Sequence, residues 1–463
     1  MPISSFSDKK FLVVMVKDGG EDSYHTVISR QPAHVAAYAV ARPSVSFSAA
    51  QLETTFAASK LAGTSFSLHP ALSPLQRLWN SGEMAITHRV GPMFTNIAET
   101  PIAELRLASR STYGGSILFP FGIGAHDKQG FGTVSMITRE FVDQFGVRRM
   151  FAEDGFLGRL ARRFASFMPD TGIPMSIVSG FPAPISVLLG TDDEAKPLTL
   201  PIVGQPYRRS WSDSPIQLRA LSRLDQIMAK SRSEPRAEAF RKATLVANGS
   251  VAFFQPVIET GAGGFAVDAD FPGNPTEGWM GTMRTFARII EADARSHALR
   301  NRTVLIGCQS GYDTHHSQGK ETGRLAALHT DWANSVVCFR SAMVRLGVWD
   351  AVVMMDHSEF SRSLSENGSA GTDHGYARDA FAFGGRVRGS ARSQRAHTYH
   401  LFGVKISTHH VRRKRKMLPL SRQQVYRSAK SGTPRKYIGY VLTISAKPAQ
   451  RFLPVLLKSD TRS

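Results

Sequence analysis

Two short apolar runs, residues 304–307 (VLIG) and 351–355 (AVVMM), each end in a polar cluster that carries aspartate and histidine. The first runs on into CQSGYDTHHSQ and the second into DHSEFSRSLSENGSAGTDHGY. Unbroken apolar runs of this kind mark strands buried on both faces, as in a parallel sheet covered by helices. The stretch between them, residues 323–346, repeats Leu325, Leu328, Trp332, Val336, Phe339 and Met343 at helical spacing and suits a crossover helix. In such folds chemistry is placed on loops at the carboxyl ends of the strands. Asp313, His315, Asp373 and His374 are therefore expected to be neighbours although some sixty positions separate the two pairs.

The chain has 463 residues with 42% hydrophobic content, enough for one large α/β domain or two to three smaller ones with a substantial core. Cys308 and Cys338 are its two cysteines. That number makes neither a disulfide framework nor a thiolate zinc cluster, so oxygen and imidazole are the metal ligands to look for. The N-terminus passes from PISSFSDKK into the six-residue run FLVVMV, shorter than the apolar part of a secretory leader, and shows no export signal. No stretch reaches eighteen uninterrupted apolar residues, so a membrane span is not expected. The formal charge of +20 is unevenly placed: residues 401–463 hold 15 of the 57 Lys and Arg but 1 of the 37 Asp and Glu, and supply +14 of it.

In chain order, residues 11–16 form a strand followed by KDGGEDSY, where Asp22 stands just past the strand end as a ligand, an active-site acid or, with Asp18, a turn former. A helix after His69 shows Leu72, Leu75 and Leu78 on one face, and a short strand at Met84 to Ile86 ends at His88. Periodicity weakens over residues 92–130, a loop-rich region that contains His126 and Asp127. Residues 155–168 and 216–246 read as helix, and the runs MSIVS and ISVLL between residues 174 and 206 read as strands of a small appended sheet. Residues 279–290 are an amphipathic helix, and DAFAFGGRVRG adds one more strand after His374.

The chemistry of these clusters follows from residue type and spacing. Asp313 and His315 are two apart, so an extended backbone puts both on one face, and Gly371 and Gly375 flank Asp373 and His374 with the freedom a sharp turn requires. Such an oxygen and nitrogen set suits zinc, manganese, magnesium, calcium or iron, and two adjacent sites suit hydrolysis of a phosphate or sulfate ester. The alternative is structural, since aspartate and histidine at strand ends also cap helices and bond to backbone groups. Glu359 and Arg362, three apart, share one side of a helical turn. Arg362 there either binds a substrate oxyanion, with Glu359 fixing it or accepting a metal, or forms a buried ion pair. Asn367 offers its amide to the same loop or takes a left-handed turn. The run VRRKRKM at residues 411–417 is either a contact for nucleic acid or an anionic surface, or part of a solvated tail.

The fragments GGEDS, LHPALSPLQRLW, ITHRVGP, LFPFGIGAHDKQ, GFLGRLARRF, SGYDTHHSQ and SEFSRSLSENGSAGTDHG lie in order between about residues 10 and 390. In them the chain resembles the alkaline-phosphatase-like superfamily of phosphatases and sulfatases and, within it, the bacterial branch known as DUF1501. The resemblance implies an α/β fold, a mostly parallel central sheet flanked by helices with small insertions, and divalent metal ions at the strand ends. It implies Asp22, Asp313, His315, Asp373 and His374 as ligands, with Asp379 near the point where relatives carry a further histidine. His126 and Asp127 match an element that relatives begin with a serine, whose place is taken here by Gly124 or Ala125. Relatives are often exported. The expected organisation is one α/β domain over residues 1–400, with inserted loops or a small subdomain about 92–210, and an atypical basic extension over 401–463. The expected function is metal-dependent hydrolysis of a phosphate or sulfate ester, with His126, Asp127, Glu359 and Arg362 as catalytic residues. The alternative is a catalytically degenerate binding or structural protein.

Overall fold

The structure is a computed structural model. It describes residues 9–52, 66–87, 173–180, 198–204, 253–259, 264–358, 360–375 and 378–388 in full, and the isolated residues 160, 161, 223, 226, 238 and 250. Of residues 53–54, 57–61, 64–65, 88–90, 138–142, 148–152, 398–401, 404–409 and 441–446 it describes the backbone alone.

A seven-stranded sheet is assembled from β1 (Lys10–Lys17), β2 (Met84–Val90), β3 (Ser176–Gly180), β4 (Leu198–Leu200), β5 (Arg302–Gln309), β6 (Val352–His357) and β9 (Arg378–Phe383). A separate hairpin pairs β7 (Ser361–Glu366) with β8 (Thr372–Gly375). The order across the sheet is β4-β3-β5-β1-β6-β9-β2. All neighbours are parallel except at β9, which runs antiparallel to both β6 and β2. β1 thus lies between β5 and β6, and the loops leaving these three strands emerge side by side.

β1 shows why the sheet is buried on both sides. Phe11, Val13 and Met15 enter one apolar cluster while Leu12, Val14 and Val16 enter another, as the alternation of a strand requires. The larger cluster is covered by α2 (Gly278–Ser296) and α3 (Arg324–Arg345). These carry Trp279, Met283, Phe286 and Ile290, and Trp332, Val336, Phe339 and Met343, into it. Leu72, Leu75 and Leu78 join from a short helical segment after His69, as their spacing predicts. A shorter helix, α1 (Pro32–Ala41), buries Tyr38 in a separate small cluster with Ile28, Phe47 and Leu52.

Two expectations are corrected. The run MSIVS belongs to the central sheet as β3, parallel to β5, and not to an appended one. Its flanking prolines and glycine gave it the look of an isolated strand, but Met175, Ile177 and Val178 are buried, as central strands require. The segment after β6 is the β7–β8 hairpin rather than a helical turn. A turn over Asn367 to Gly371 favours this, with Asn367 Oδ1 accepting from the N–H groups of Ser369 (2.9 Å) and Gly371 (3.2 Å). Within residues 216–246 the described positions 223, 226 and 238 are helical, and the run ISVLL and the basic run at 411–417 lie outside the described residues. In the C-terminal region Thr398–Leu401, Val404–His409 and Val441–Ala446 pair as a three-stranded antiparallel sheet. Among the described residues no helix is long and apolar enough to cross a membrane.

Beside the loop after β1, three buried imidazoles, His25, His69 and His329, meet edge to face at centroid distances of 5.1 and 5.2 Å. His69 Nδ1 accepts from the Ala71 N–H (3.1 Å), so its Nε2–H donates to the Lys320 carbonyl (2.9 Å). Burial drives His25 down to about 3 and His69 to about 4, partly opposed by Asp22 in both cases, while Arg42 lowers His25 further. Each imidazole holds a proton less tightly in the folded chain than in the unfolded one. Its contribution is complete above about pH 6.5 and is lost as pH falls toward 4. Glu21, which burial raises to about 7, has the opposite slope, so a difference between variants isolates the histidine. The unfolding free energy of the parent should fall below pH 6.5 by up to about 1.4 kcal/mol per pH unit more steeply than that of His69→Asn, which keeps a cap acceptor for Ala71. Urea unfolding between pH 7 and 5 measures this, and equal slopes would contradict it.

Candidate metal centre

The loops after β1 and β5 and the hairpin after β6 are tied together by one side chain. Arg362, on β7, is fully buried. Its Nε donates to the Gly20 carbonyl (3.0 Å) and its Nη2 to those of Gly19 (2.5 Å) and Tyr312 (3.1 Å). Nη1 donates to the Thr372 carbonyl (3.2 Å) and approaches His315 Nε2 at 3.5 Å, and Nη2 also pairs with Asp313 Oδ1. A planar guanidinium suits this task because its donors diverge in fixed directions. The close packing leaves no room for side chains at the crossings: a Cβ on Gly19, at φ 115°, would lie 2.3 Å from the Asp313 nitrogen.

Above this tie three donor atoms converge. Asp313 Oδ1 lies 3.1 Å from His315 Nε2 and 3.4 Å from His374 Nε2, and the two Nε2 atoms are 3.0 Å apart. Ligands held at about 2.0–2.1 Å from one ion stand about 2.9 Å apart in octahedral and about 3.3 Å apart in tetrahedral geometry, so the triangle has the dimensions of one face of a metal site. The orientation of His315 fits as well. Its Nδ1 faces Asp373 Oδ1 at 3.3 Å, which leaves the Nε2 lone pair for a cation, the arrangement that carboxylates impose on metal-binding histidines. Asp313 can accept from Arg362 and still ligate, because a carboxylate offers about four lone-pair sites. Phe360 stacks on His374 with centroids 4.0 Å apart and fixes the ring. Asn367 Nδ2 donates to Asp373 Oδ1 (3.1 Å) and to the His315 carbonyl (2.8 Å). The Asn367 hydrogen bond, ahead of the nearby His315 and Arg362, holds the Asp373 carboxyl below its usual range.

The structure brings the sequence-derived residues together unequally. Asp313, His315 and His374 form the triangle and Asp373 stands beside it. Asp373 and His374 do not face one point through a sharp turn. They occupy successive positions of an extended strand, so His374 turns inward and Asp373 remains largely exposed. Gly371 serves close approach instead, since a Cβ there would lie 2.3 Å from the His315 carbonyl. Asp22 is buried with both oxygens on Arg42, at 2.5 and 2.7 Å. Burial raises its carboxyl, but Arg42 outweighs that and holds it below the usual range. Asp379 lies on β9, where its N–H donates to Ser23 Oγ (2.6 Å), outside the three-donor cluster. His126, Asp127 and Glu359 lie outside the described residues.

Sequence reasoning passed over the charged layer beneath the site. Lys17 ends β1 on the side of Met15, and its Nζ sits 3.5 Å from the centroid of the Trp332 ring. The same Nζ is 2.7 Å from Glu21 Oε1 and 3.0 Å from Asp356 Oδ2. Arg378 completes the group, 3.1 Å from Asp356 and 3.6 Å from Glu21. A lysine at the end of an apolar strand followed four positions later by glutamate was the available signal.

Arg362→Met keeps the volume of the tie but removes its donors, leaving buried carbonyls and Asp313 uncompensated. A loss of about 3–5 kcal/mol in urea unfolding of the metal-free chain is expected, and a loss under about 1 kcal/mol would contradict the role given to this residue.

A family model described as "Protein of unknown function (DUF1501)" matches residues 273–397, the span that carries β5, α3, β6 and the hairpin. No curated protein matches the chain. Among solved structures, the lipoteichoic acid synthase LtaP from Listeria monocytogenes is similar at 9% identity and a TM-score of 0.27, over 81% of this chain and 65% of that one. The chain thus spans less than two thirds of the synthase. Ps i-CgsB in complex with k-i-k-neocarrahexaose is similar at 8% identity and a TM-score of 0.29, over 82% and 67%. The alkaline phosphatase from the Antarctic bacterium TAB5 gives 7% identity and a TM-score of 0.24, over 81% and 92%. Residues 273–397 of this chain therefore match the DUF1501 model, and the chemistry of the site rests on its own geometry.

Proposed function

We propose that this protein is a metal-dependent hydrolase of phosphate or sulfate esters, built on an alkaline-phosphatase-like α/β domain over residues 1–400 with a basic extension over 401–463. The observation that carries the reading is the triangle of Asp313 Oδ1, His315 Nε2 and His374 Nε2, 3.0–3.4 Å on a side at the carboxyl ends of β5 and β6. Two imidazoles and one carboxylate suit zinc or another divalent ion with open positions left for water and substrate. A bound divalent ion would supply Lewis acidity toward an ester oxygen and a more acidic water.

The protein's own residues do the rest. Asp373 holds His315 in the tautomer that presents Nε2, and Phe360 limits rotation of His374. Arg362 neutralises Asp313 and keeps the three loops in register, a supporting part rather than an oxyanion clamp, because its donors face backbone carbonyls. His126 and Asp127 keep the catalytic part that the sequence resemblance implies, and Glu359 the supporting one, fixing Arg362 or accepting a metal. Asp22, expected as a ligand from the sequence resemblance, supports the centre from outside the triangle through Gln318, and Asp379, expected likewise, stands outside the triangle on β9.

One sequence feature favours a second reading, a metal-binding protein without turnover: Gly124 or Ala125 stands where relatives carry serine. Metal-stripped full chain, reconstituted with Zn²⁺, Mn²⁺ or Mg²⁺ and offered chromogenic phosphate and sulfate esters, separates the two. The hydrolase predicts metal-dependent turnover that Asp313→Asn lowers by at least about 100-fold. Metal binding with no turnover supports the second reading, and turnover indifferent to both chelator and Asp313→Asn overturns the assignment of the centre.

A further inference from the structure

Gln318 is fully buried, and it touches both segments that carry the donor triangle. Its Oε1 accepts from the hydroxyls of Thr314 and Thr372, each at 2.9 Å. Thr314 lies between Asp313 and His315, and Thr372 lies two positions before His374. The two are also joined directly, the Thr372 N–H donating to the Thr314 carbonyl at 3.0 Å, and the Gln318 N–H donates to the Ala370 carbonyl at 3.0 Å. On its far side Gln318 Nε2 donates to Asp22 Oδ2 at 2.7 Å.

Asp22 is itself immobilised. Arg42 grips both its oxygens, and the same guanidinium donates to the carbonyls of Leu364 (2.8 Å) and Ser363 (2.7 Å) on β7. β7 pairs with β8, which carries His374. The hydrogen bonds therefore close a ring: hairpin, Arg42, Asp22, Gln318, and back to the hairpin through Thr372, with a branch to the Asp313 and His315 segment through Thr314.

Resting on the metal reading of the triangle, we infer that Gln318, anchored by the Asp22–Arg42 pair, is a positioning residue that sets the distance between the donors contributed by β5 and by the hairpin. A glutamine is suited to this place because one planar group must donate at one end and accept at the other. The Asp22 carboxylate accepts only, so it decides which end carries the nitrogen, and the oxygen is then presented to both hydroxyls. A glutamate would set two carboxylates against each other, and an apolar residue would leave Asp22 and both threonines short of a partner. Donors that must stay within about 0.5 Å of a working geometry need such support, and outer partners of ligands typically tune metal affinity by about 10–100-fold.

The test uses the full-length chain and Zn²⁺ alone, titrated in competition with a chromogenic chelator. Parent, Gln318→Met, Thr314→Val, Thr372→Val and Asp313→Ala are compared, with thermal unfolding of each metal-free protein measured beside it. Gln318→Met is expected to weaken Zn²⁺ binding about 10–100-fold, beyond anything its change in Tm accounts for, and each valine variant several-fold. Affinity within twofold of the parent in Gln318→Met, while Asp313→Ala abolishes binding, overturns the positioning role and leaves the metal centre standing. If the parent itself binds no Zn²⁺, the metal reading fails, and hydrogen exchange of the metal-free chain then judges the clamp. Faster exchange in both residues 313–318 and 370–375 of Gln318→Met supports it, and unchanged exchange in either segment overturns it. Should Gln318→Met not fold, Thr314→Val and Thr372→Val, which keep volume and remove one hydroxyl each, carry the same comparisons.

Discussion

A guanidinium with no access to water holds this site together. Arg362 brings a full positive charge into the protein, where an unpaired ion is costly, and it is tolerated because Asp313 and the carbonyls of Gly19, Gly20, Tyr312 and Thr372 surround it. Those five partners come from three loops that are remote in the chain. Satisfying one cation therefore dictates where the loops meet, and the donor triangle is a consequence of that meeting. Asp313 belongs to both arrangements, as anion to Arg362 and as one vertex of the triangle.

Beneath the tie lies a second buried set of ionisable groups, the bases Lys17 and Arg378 facing the acids Glu21 and Asp356. Asp356 is pushed up by burial but held below its usual range by Arg378 and Lys17, whereas Glu21 is raised to about 7 because burial outweighs its cations. Such groups add little net stability compared with apolar packing. Their effect here is geometric. Lys17 and Asp356 lie at the ends of β1 and β6, adjacent in the sheet, and their pairing fixes the relative height from which the two loops depart. The carboxyl edge of the sheet is thus a polar platform resting on an apolar body, and the donor triangle stands on it.

Much of this was legible in the sequence where periodicity or close spacing carries the information. Continuous apolar runs identified β1, β5 and β6, and helical spacing identified α2 and α3. The two-residue step from Asp313 to His315 foretold their shared direction. Strand β3 was misassigned to a minor sheet because a five-residue run says nothing about its partner. The β7–β8 hairpin was misread because the spacing of Glu359 and Arg362 was weighed ahead of the turn residues that follow them. Asp22 and Arg42 are twenty positions apart in a chain with many acids and bases, and Gln318 has no distinguishing pattern at all. Pairings made only by the tertiary fold leave no periodic trace.

The account depends on two imidazoles and one carboxylate closing on a single cation. X-ray absorption at the zinc edge of the reconstituted full-length protein tests this most directly, because it reads the atoms around the ion itself. The predicted result is a first shell of nitrogen and oxygen at about 2.0–2.1 Å with the outer-shell scattering of two imidazole rings, reduced to one ring in His374→Ala. A shell without imidazole scattering, or one that His374→Ala leaves unchanged, would contradict it.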